Sequence, residues 1–533
     1  MEVTELSERH AAPQANGYSE AGASITRRAL KGFTPESSSP NEDIVRNIDL
    51  LRKRSRLLYM SSPVATSAIN TNRSKVVGVG LGLKANINRD VLGLTPEAAK
   101  AWQKRTEAEF ALWANKPRNC DAIGKNGFMD MQQLALKSWL MSGDCFVLMK
   151  RKPADKNNPY SLRLHVIEAD RVSTPDSFCG GMTAAGFLEG VVPDDKPGAG
   201  RAVIDGVEID DDGLVQAYYV ASRYPREYSA KPIQWQRVLA YGEKTGLANI
   251  LHIMDSERPD QYRGVPYLAQ IIEPLLQTRR YTESELMAAL VQSFFTAWIE
   301  TETSPLDIPV NEVGPGETNG EEPIDEDSVS DSENEYEMGP GTVLHLKENE
   351  KVNFGNPNIP TAGFETFMKT MLRMMGAALE MPYDVLIKEY NSSYSSARAA
   401  MQDAWEAFRT RRSWFVDDMC QPVYETWLAE AVALGRIKAP GFFDDPLLRA
   451  AWSGARWIGP AQGILDPLKE ARAALLLIDH GIKTHAQVTM EMTGGDWEEN
   501  VEQLAKENEM LAKAGGGTVA AMNTGGGDGG DGE

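Results

Sequence analysis

Carboxylates crowd together at two places in this 533-residue chain, and crowded carboxylates are the raw material of divalent-metal chemistry. One is Gly206-Val207-Glu208-Ile209-Asp210-Asp211-Asp212-Gly213. The other is Asp325-Glu326-Asp327, inside a longer acidic stretch. A metal-dependent nuclease or an ATPase would draw on such groups. The calcium-loop pattern, however, needs alternating ligands and a distant Glu, which do not accompany the three aspartates. A solvated hairpin turn explains them more simply. Phosphate chemistry fares no better. Tyr241-Gly242-Glu243-Lys244-Thr245-Gly246 has the tail of a phosphate-binding loop without the upstream glycine. Val76-Val77-Gly78-Val79-Gly80-Leu81-Gly82-Leu83 is glycine-rich but lacks GxGxxG and an acidic residue at the distance a dinucleotide requires. GxSxG and HExxH are absent, and the six histidines are scattered. Cys120, Cys145, Cys179 and Cys420 show no CxxC spacing, which fits isolated buried thiols in a reducing compartment. The expectation is a chain with no catalytic residue, metal or cofactor.

A different chemistry is offered by the loop Tyr390, Asn391, Ser392, Ser393, Tyr394, Ser395 and Ser396, which is rich in hydroxyls and carries no charge. Such a surface lets a polyanion pass without the counterion capture and release of each Lys–phosphate contact. Behind it stand Arg398, Arg409, Arg411 and Arg412, with two readings: ion pairing within or between chains, or contact with DNA. The loop must be held by the segment on its C-terminal side. From Ala397, Met401, Trp405, Phe408, Phe415, Met419, Val423, Trp427, Ala431 and Leu434 recur at helical spacing, which predicts one helix to Ile437, capped by Ser395 or Ser396 and bent at Pro422. It would run roughly 60 Å. A helix that long needs cover along its whole face, from an α-rich core or from neighbouring copies of the chain.

The charge balance restricts partners. Asp and Glu number 76 against 55 Lys and Arg, a net charge of -21, so the chain as a whole is not a tight nucleic-acid binder. It can still surround DNA without gripping it. The N-terminus lacks the apolar region of a secretion signal. The longest apolar run, 286–299, is too short to span a bilayer, so no membrane is expected.

Along the chain, residues 1–40 read as a disordered arm and 513–533 as a disordered Gly-rich tail. Arg52, Lys53, Arg54 and Arg56 read as a solvated helix face, with contact to DNA or an acidic neighbour as the alternative. A helix then leads into a strand over 76–83. Thr95-Pro96-Glu97 opens another helix, with a cap, a first-turn proline and an acid near the positive pole. A helix over 129–141 stops at Gly143, and strands are predicted at 145–149, 161–167, 214–220 and 250–253. Pro266 starts a helix to about Glu300, kinked at Pro274. The acidic segment 301–341 cannot build a core, and short strands at 342–346 and 351–354 follow it. A methionine-rich helix spans 364–379, with a short turn at 383–387, and Asp466-Pro467 opens a helix near the C-terminus. The fold class is α+β, predominantly helical.

Four segments in order resemble the lambda-type portal proteins of tailed phages: the Gly206–Val220 hairpin, Gln261-Tyr262-Arg263-Gly264-Val265-Pro266, the Asn391–Arg398 loop with its helix, and Trp457–Thr484. The likeness extends over 41–508. It implies a portal-type fold with wing, stem, clip and crown regions, in which about twelve subunits close a ring around a DNA channel at one capsid vertex. Carried over, 41–265 and 397–460 are wing, 266–300 and 364–381 the stem helices, 301–363 the clip, 382–396 the tunnel-loop region and 461–512 the crown. The implied partners are further copies of the chain, double-stranded DNA, terminase, head-tail connector or adaptor proteins, and the major capsid and scaffold proteins. The implied location is the virion, after assembly in the host cytoplasm. Two other readings stay open: a DNA-packaging or processing enzyme using the carboxylates above, and a capsid or scaffold protein.

Overall fold

A computed structural model describes residues 28–178, 189–225, 227, 231–294, 298–301, 350–353, 363–389, 394–463 and 466–513. The chain divides into two compact units, 1–272 with 379–533, and 273–378.

The first unit opens on α1 (Pro40–Ser61), started by a capping box between Ser39 and Glu42. α2 (Pro63–Asn72) continues into a π turn, Arg73–Val77. Val76 and Val77 are therefore buried in a helical turn, not in the expected strand, which starts later as β1 (Gly82–Ala85). Local apolar alternation is overridden because Gly78, at φ +62°, ends the helix, and Arg412 caps the carbonyls left over at Lys75 and Val76. α3 (Arg89–Leu92) precedes α4 (Pro96–Ala114), which starts on the Thr95 cap as expected. α5 (Pro117–Cys120) and α6 (Phe128–Ser142) follow.

The sheets come next: β2 (Asp144–Arg151), β3 (Leu162–Glu168), β4 (Glu189–Val191), β5 (Ala202–Ile204), β6 (Val207–Ile209), β7 (Val215–Ala221), β8 (Trp235–Leu239) and β9 (Ile250–Met254). One antiparallel sheet has the order β3-β2-β9, another β4-β5-β6-β7-β8. β2 is buried along most of its length, as an apolar run between two neighbours should be. Phe146, Ile167, Tyr218 and Ile250 share one core cluster between the sheets.

Gly143 is the tightest joint. It ends α6 at φ +88°, and a Cβ there would land on the backbone of Gly264. Gly143→Ala is expected to lose about 3 kcal/mol from left-handed strain and the clash together, read as a lower urea midpoint; an unchanged midpoint would show that the two loops can part without cost.

The second unit contains α7 (Ile272–Phe294), β10 (Trp298–Thr301), β11 (Glu350–Asn353) and α8 (Phe364–Ala378). The helix expected to reach Glu300 ends at Phe294, and Trp298–Thr301 instead pairs antiparallel with Glu350–Asn353. Trp, Ile and Thr favour a pleated strand once a partner is available, and the partner lies far along the chain. The strand expected at 351–354 is observed. The one at 342–346, most of the acidic segment and Asp325–Asp327 lie outside the described residues. Tyr281 packs on Phe364 and Phe367, ring centroids 5.4 and 4.9 Å apart.

The first unit resumes with α9 (Tyr383–Ile387), α10 (Tyr394–Phe415), a π turn at Val416–Cys420 and α11 (Gln421–Ala433). α12 (Pro446–Ser453) leads to β12 (Ala455–Ile458), which pairs with β1 in register Gly82↔Ile458. α13 (Pro467–Asp479), α14 (His485–Thr493) and α15 (Trp497–Lys513) close the chain. An aromatic core joins these parts: Phe110 meets Trp427, Phe128, Tyr424 and Trp457 with centroids between 5.1 and 6.1 Å. Cys120, Cys145 and Cys420 are buried free thiols, and burial pushes Cys120 and Cys145 up to about 12. Cys179 lies outside the described residues.

Candidate functional site

The long helix exists, and its irregularity sits where the sequence places a proline. Pro422 offers no N–H and crowds the preceding turn. The chain absorbs it with the π turn Val416–Cys420, closed by Gln421 N–H donating to the Val416 carbonyl. The helix starts at Tyr394, one or two residues before the expected caps, and ends at Ala433 with Gly435 in the left-handed region.

Tyr390, Asn391, Ser392 and Ser393 lie outside the described residues. Tyr394 and Ser395 form the first turn of α10, and Ser396 is exposed beside them. The four arginines divide into two pairs. Arg398 is 3.8 Å from Glu470, and Arg409 is 3.6 Å from Glu406; both guanidiniums are at least half exposed. Arg411 is buried, donating to Asn72 (3.1 Å) and Glu380 (2.6 Å) and lying 4.8 Å over the Tyr267 ring. Arg412 donates to the carbonyls of Val76 (2.8 Å), Lys75 (2.7 Å) and Pro460 (2.9 Å), and burial pushes its pKa down to about 10. Of the two readings for this cluster, intrachain bonding is what the geometry gives Arg411 and Arg412. They tie the helix to its own chain.

Beside the π turn lies a cleft of about 550 Å³ whose lining includes Asp417, Asp418, Glu425, Tyr218, Tyr241 and His252. Burial pushes Asp418 up to about 7, against a hydrogen bond from the Met254 N–H, and pushes Asp255 up to about 6. Native Asp418 thus holds its proton to about pH 7, whereas the unfolded chain releases it near 4. The folded state binds more protons between those values, so stability falls as pH rises through that window and levels off above it. Asp418→Asn is expected to raise stability at pH 8 by on the order of 2 kcal/mol and to flatten this slope. Urea midpoints of both proteins at pH 5 and pH 8 test it, and parallel slopes would refute the assignment.

The acidic hairpin is less open than the sequence implies. Val207–Ile209 is strand β6, and only Asp210–Gly213 forms the turn. Glu208, expected in a solvated turn, is fully buried and held by Arg237 (2.6 and 2.7 Å), Arg201 (3.1 Å) and the Tyr219 hydroxyl (3.0 Å). Asp210 accepts from the N–H groups of Asp212 and Leu214 and pins the turn. Among the described residues no group of three or more His, Cys, Asp or Glu side chains could hold a metal.

What sequence reasoning missed is an ionic core. Arg52, expected on a solvated face, is buried against Asp144 (3.1 Å), Asp205 (3.4 Å) and the Ser142 carbonyl (3.0 Å). Its neighbour Arg56 pairs with Asp170. Arg263, fully buried, binds Asp144 (2.6 Å) and Asp205 (2.6 Å) and donates to the carbonyls of Val172 and Ala169, both at 3.0 Å. Burial pushes Asp144 up, but Arg263 and Arg52 outweigh it and hold the carboxyl well below its usual range. Burial lowers His252, 3.5 Å from Asp144. This cluster joins α1, both sheets and the turn at Gly264, and it gives the first unit one geometry.

No helix among the described residues is long and apolar enough to cross a membrane. Residues 26–412 match the family described as "Phage portal protein, lambda family". Over 508 residues the chain is 24% identical to Portal protein B of Escherichia phage lambda, covering 94% of this chain and 90% of that protein. It is also 24% identical to the portal protein of Escherichia phage N15, covering 91% and 89%. Among solved structures, it is similar to a chain in the neck of the native GTA particle computed with C12 symmetry, with a TM-score of 0.41 and 12% identity over 84% of this chain and 92% of that one.

Proposed function

The chain belongs to the lambda family of phage portal proteins, and from that membership we propose that its copies close a ring, with α7 and α8 as the stem, α10 and α11 as the long wing helix, and α13 to α15 as the crown. Double-stranded DNA is packaged and ejected through the opening, with residues 390–393 and the first turn of α10 nearest the duplex. The ring sits at one capsid vertex of the virion and offers docking surfaces to terminase, connector and capsid proteins.

The observation that carries this reading is the family match over 26–412, continued by relatives aligned along nearly the whole chain. Physical features support it. α7 and α8 carry exposed Leu276, Leu286, Met287, Phe367 and Met374, more apolar surface than two helices leave in water when nothing covers them. No residue of α13, α14 or α15 is buried within the chain, although Leu468, Leu475 and Leu476 of α13, and Ile482 in the turn after it, are large and apolar. A closed ring covers such faces by repeating one contact about an axis. The role is structural, and the carboxylates of Glu208 and Asp210 are already occupied by arginines and backbone N–H groups.

Negative-stain microscopy of the purified chain tests the reading. Single rings with a central hole are expected. Closed shells would favour a scaffold or capsid protein, and a monomer at every concentration would refute the ring.

A further inference from the structure

The C-terminal helix α15 is acidic: it carries Glu498, Glu499, Glu502, Glu507 and Glu509 against Lys506 and Lys513. It faces three lysines, Lys84 of β1 and Lys100 and Lys104 of α4, beside which α4 also carries Glu107. Lys84 is 2.6 Å from Glu499, 3.1 Å from Asp496 and 3.5 Å from Glu107. Lys100 is 2.6 Å from Glu498 and 3.0 Å from Glu502, and Lys104 is 2.8 Å from Glu502. The exposed Arg456 stands opposite Lys84 in the β1–β12 pair, adding a fourth cation to this face. No residue of α15 is buried, and its Val501, Leu504 and Met510 are exposed. α15 is also joined to α14, whose His485 stacks on Trp497 with ring centroids 5.5 Å apart, while the lysine contacts tie its charged face to β1 and α4. The lysine hydrogen bonds push Glu502 down to about 2, which agrees with that geometry.

We propose that Lys84, Lys100, Lys104 and Arg456 form a masked site for the phosphate backbone of duplex DNA, and that α15 is its built-in competitor. Lys100 and Lys104 are one helical turn apart and present their ammonium groups on one side of α4. The carboxylates of α15 occupy them as a tethered anion whose effective concentration lies roughly in the millimolar range. A free acidic peptide of similar charge loses that competition. Duplex DNA does not, because it carries one charge per roughly 1.7 Å of axis and releases condensed counterions on binding. Exposed ion pairs weaken with salt, so the mask is one that ionic strength and local DNA concentration can lift. This goes beyond the channel reading and does not depend on it.

The test uses the full chain and a fluorescent 30-base-pair duplex, a length of about three helical turns. Glu498→Gln, Glu499→Gln and Glu502→Gln together keep the shape of α15 and remove its charge. Faster hydrogen exchange along α15 is expected, with duplex binding at least about tenfold tighter at 50 mM salt and a salt slope steeper by about 2 to 3. Adding Lys84→Gln, Lys100→Gln and Lys104→Gln should return affinity and slope to the parent values. Three results overturn the proposal: α15 amides that stay protected after neutralisation, exchange that rises without any gain in DNA binding, or a gain that survives loss of the lysines. Binding by the triple-Gln protein to an acidic peptide in preference to the duplex also refutes it, since the cations would then serve a protein partner. Ring formation by each variant, scored by microscopy, separates any failure here from a failure of the channel assignment.

Discussion

Arg263→Ala is expected to cost about 3–5 kcal/mol of folding stability. The guanidinium has no exposed surface, and it is the shared counter-charge for Asp144 and Asp205. Its removal leaves two buried carboxylates with Arg52 as their one guanidinium, and frees the carbonyls of Ala169 and Val172. Each lost partner strands a group that water cannot reach. The partners also come from separate places: Asp144 starts β2, Asp205 lies in the β5–β6 turn, and Ala169 and Val172 follow β3. The arginine therefore decides how the two sheets meet, not only how tightly. A second variant separates charge from packing. Arg263→Met with Asp144→Asn and Asp205→Asn should recover a substantial part of the loss, because the cost arises from stranded charge more than from missing volume. Urea unfolding followed by tryptophan fluorescence measures both. A loss below about 1 kcal/mol for Arg263→Ala would mean that water enters the cluster and solvates the acids.

That cluster also shows what the sequence could and could not tell. Arg52 was open to view: it follows Ile48 by four residues and precedes Leu58 by six, in phase with the buried stripe Ile44, Val45, Ile48, Ser55 and Leu58. A residue in phase with an apolar face points inward whatever its charge. Reading the run of four basic residues as one surface hid that phase. Asp144 and Arg263 gave weaker signals, because an acid beside a buried strand finds its partner only in three dimensions. The helices opened by Thr95-Pro96 and Asp466-Pro467 were plain, since cap, proline and periodicity agree within one short window. Pairings between distant segments were not. β1 with β12 and β10 with β11 are short strands whose partners lie far away in the chain, and local pattern carries no register across that distance. Pro422 announced a defect in the long helix but not its form, a π turn and not a simple bend. At the candidate site, spacing put Arg411 and Arg412 beside Arg398 and Arg409. Their separation into buried and exposed pairs depends on Asn72, Glu380 and the carbonyls of 75–76.

Replacing Ser392 and Ser393 with Lys is expected to leave the subunit folded and the rings intact, while DNA-filled heads fall by about tenfold or more. Both serines precede the first residue of α10 in the sequence. On the proposed tunnel-loop role, the effect is one of charge at a constriction. A neutral hydroxyl exchanges hydrogen bonds with a passing backbone and with water at nearly equal cost. An ammonium releases condensed counterions each time it meets a phosphate and must recapture them before the next step. In a ring, two added lysines per subunit act at every copy at once, and small drags sum. Ser392→Ala with Ser393→Ala is the control, since it removes hydrogen bonding without adding charge, and it should package nearly as the parent does. Counting filled heads by microscopy, with ring mass measured in parallel, reads the outcome. Normal filling by the lysine protein would remove this loop from the path of the DNA. Broken rings would place it instead at a contact between subunits, where like charges repel across a short gap.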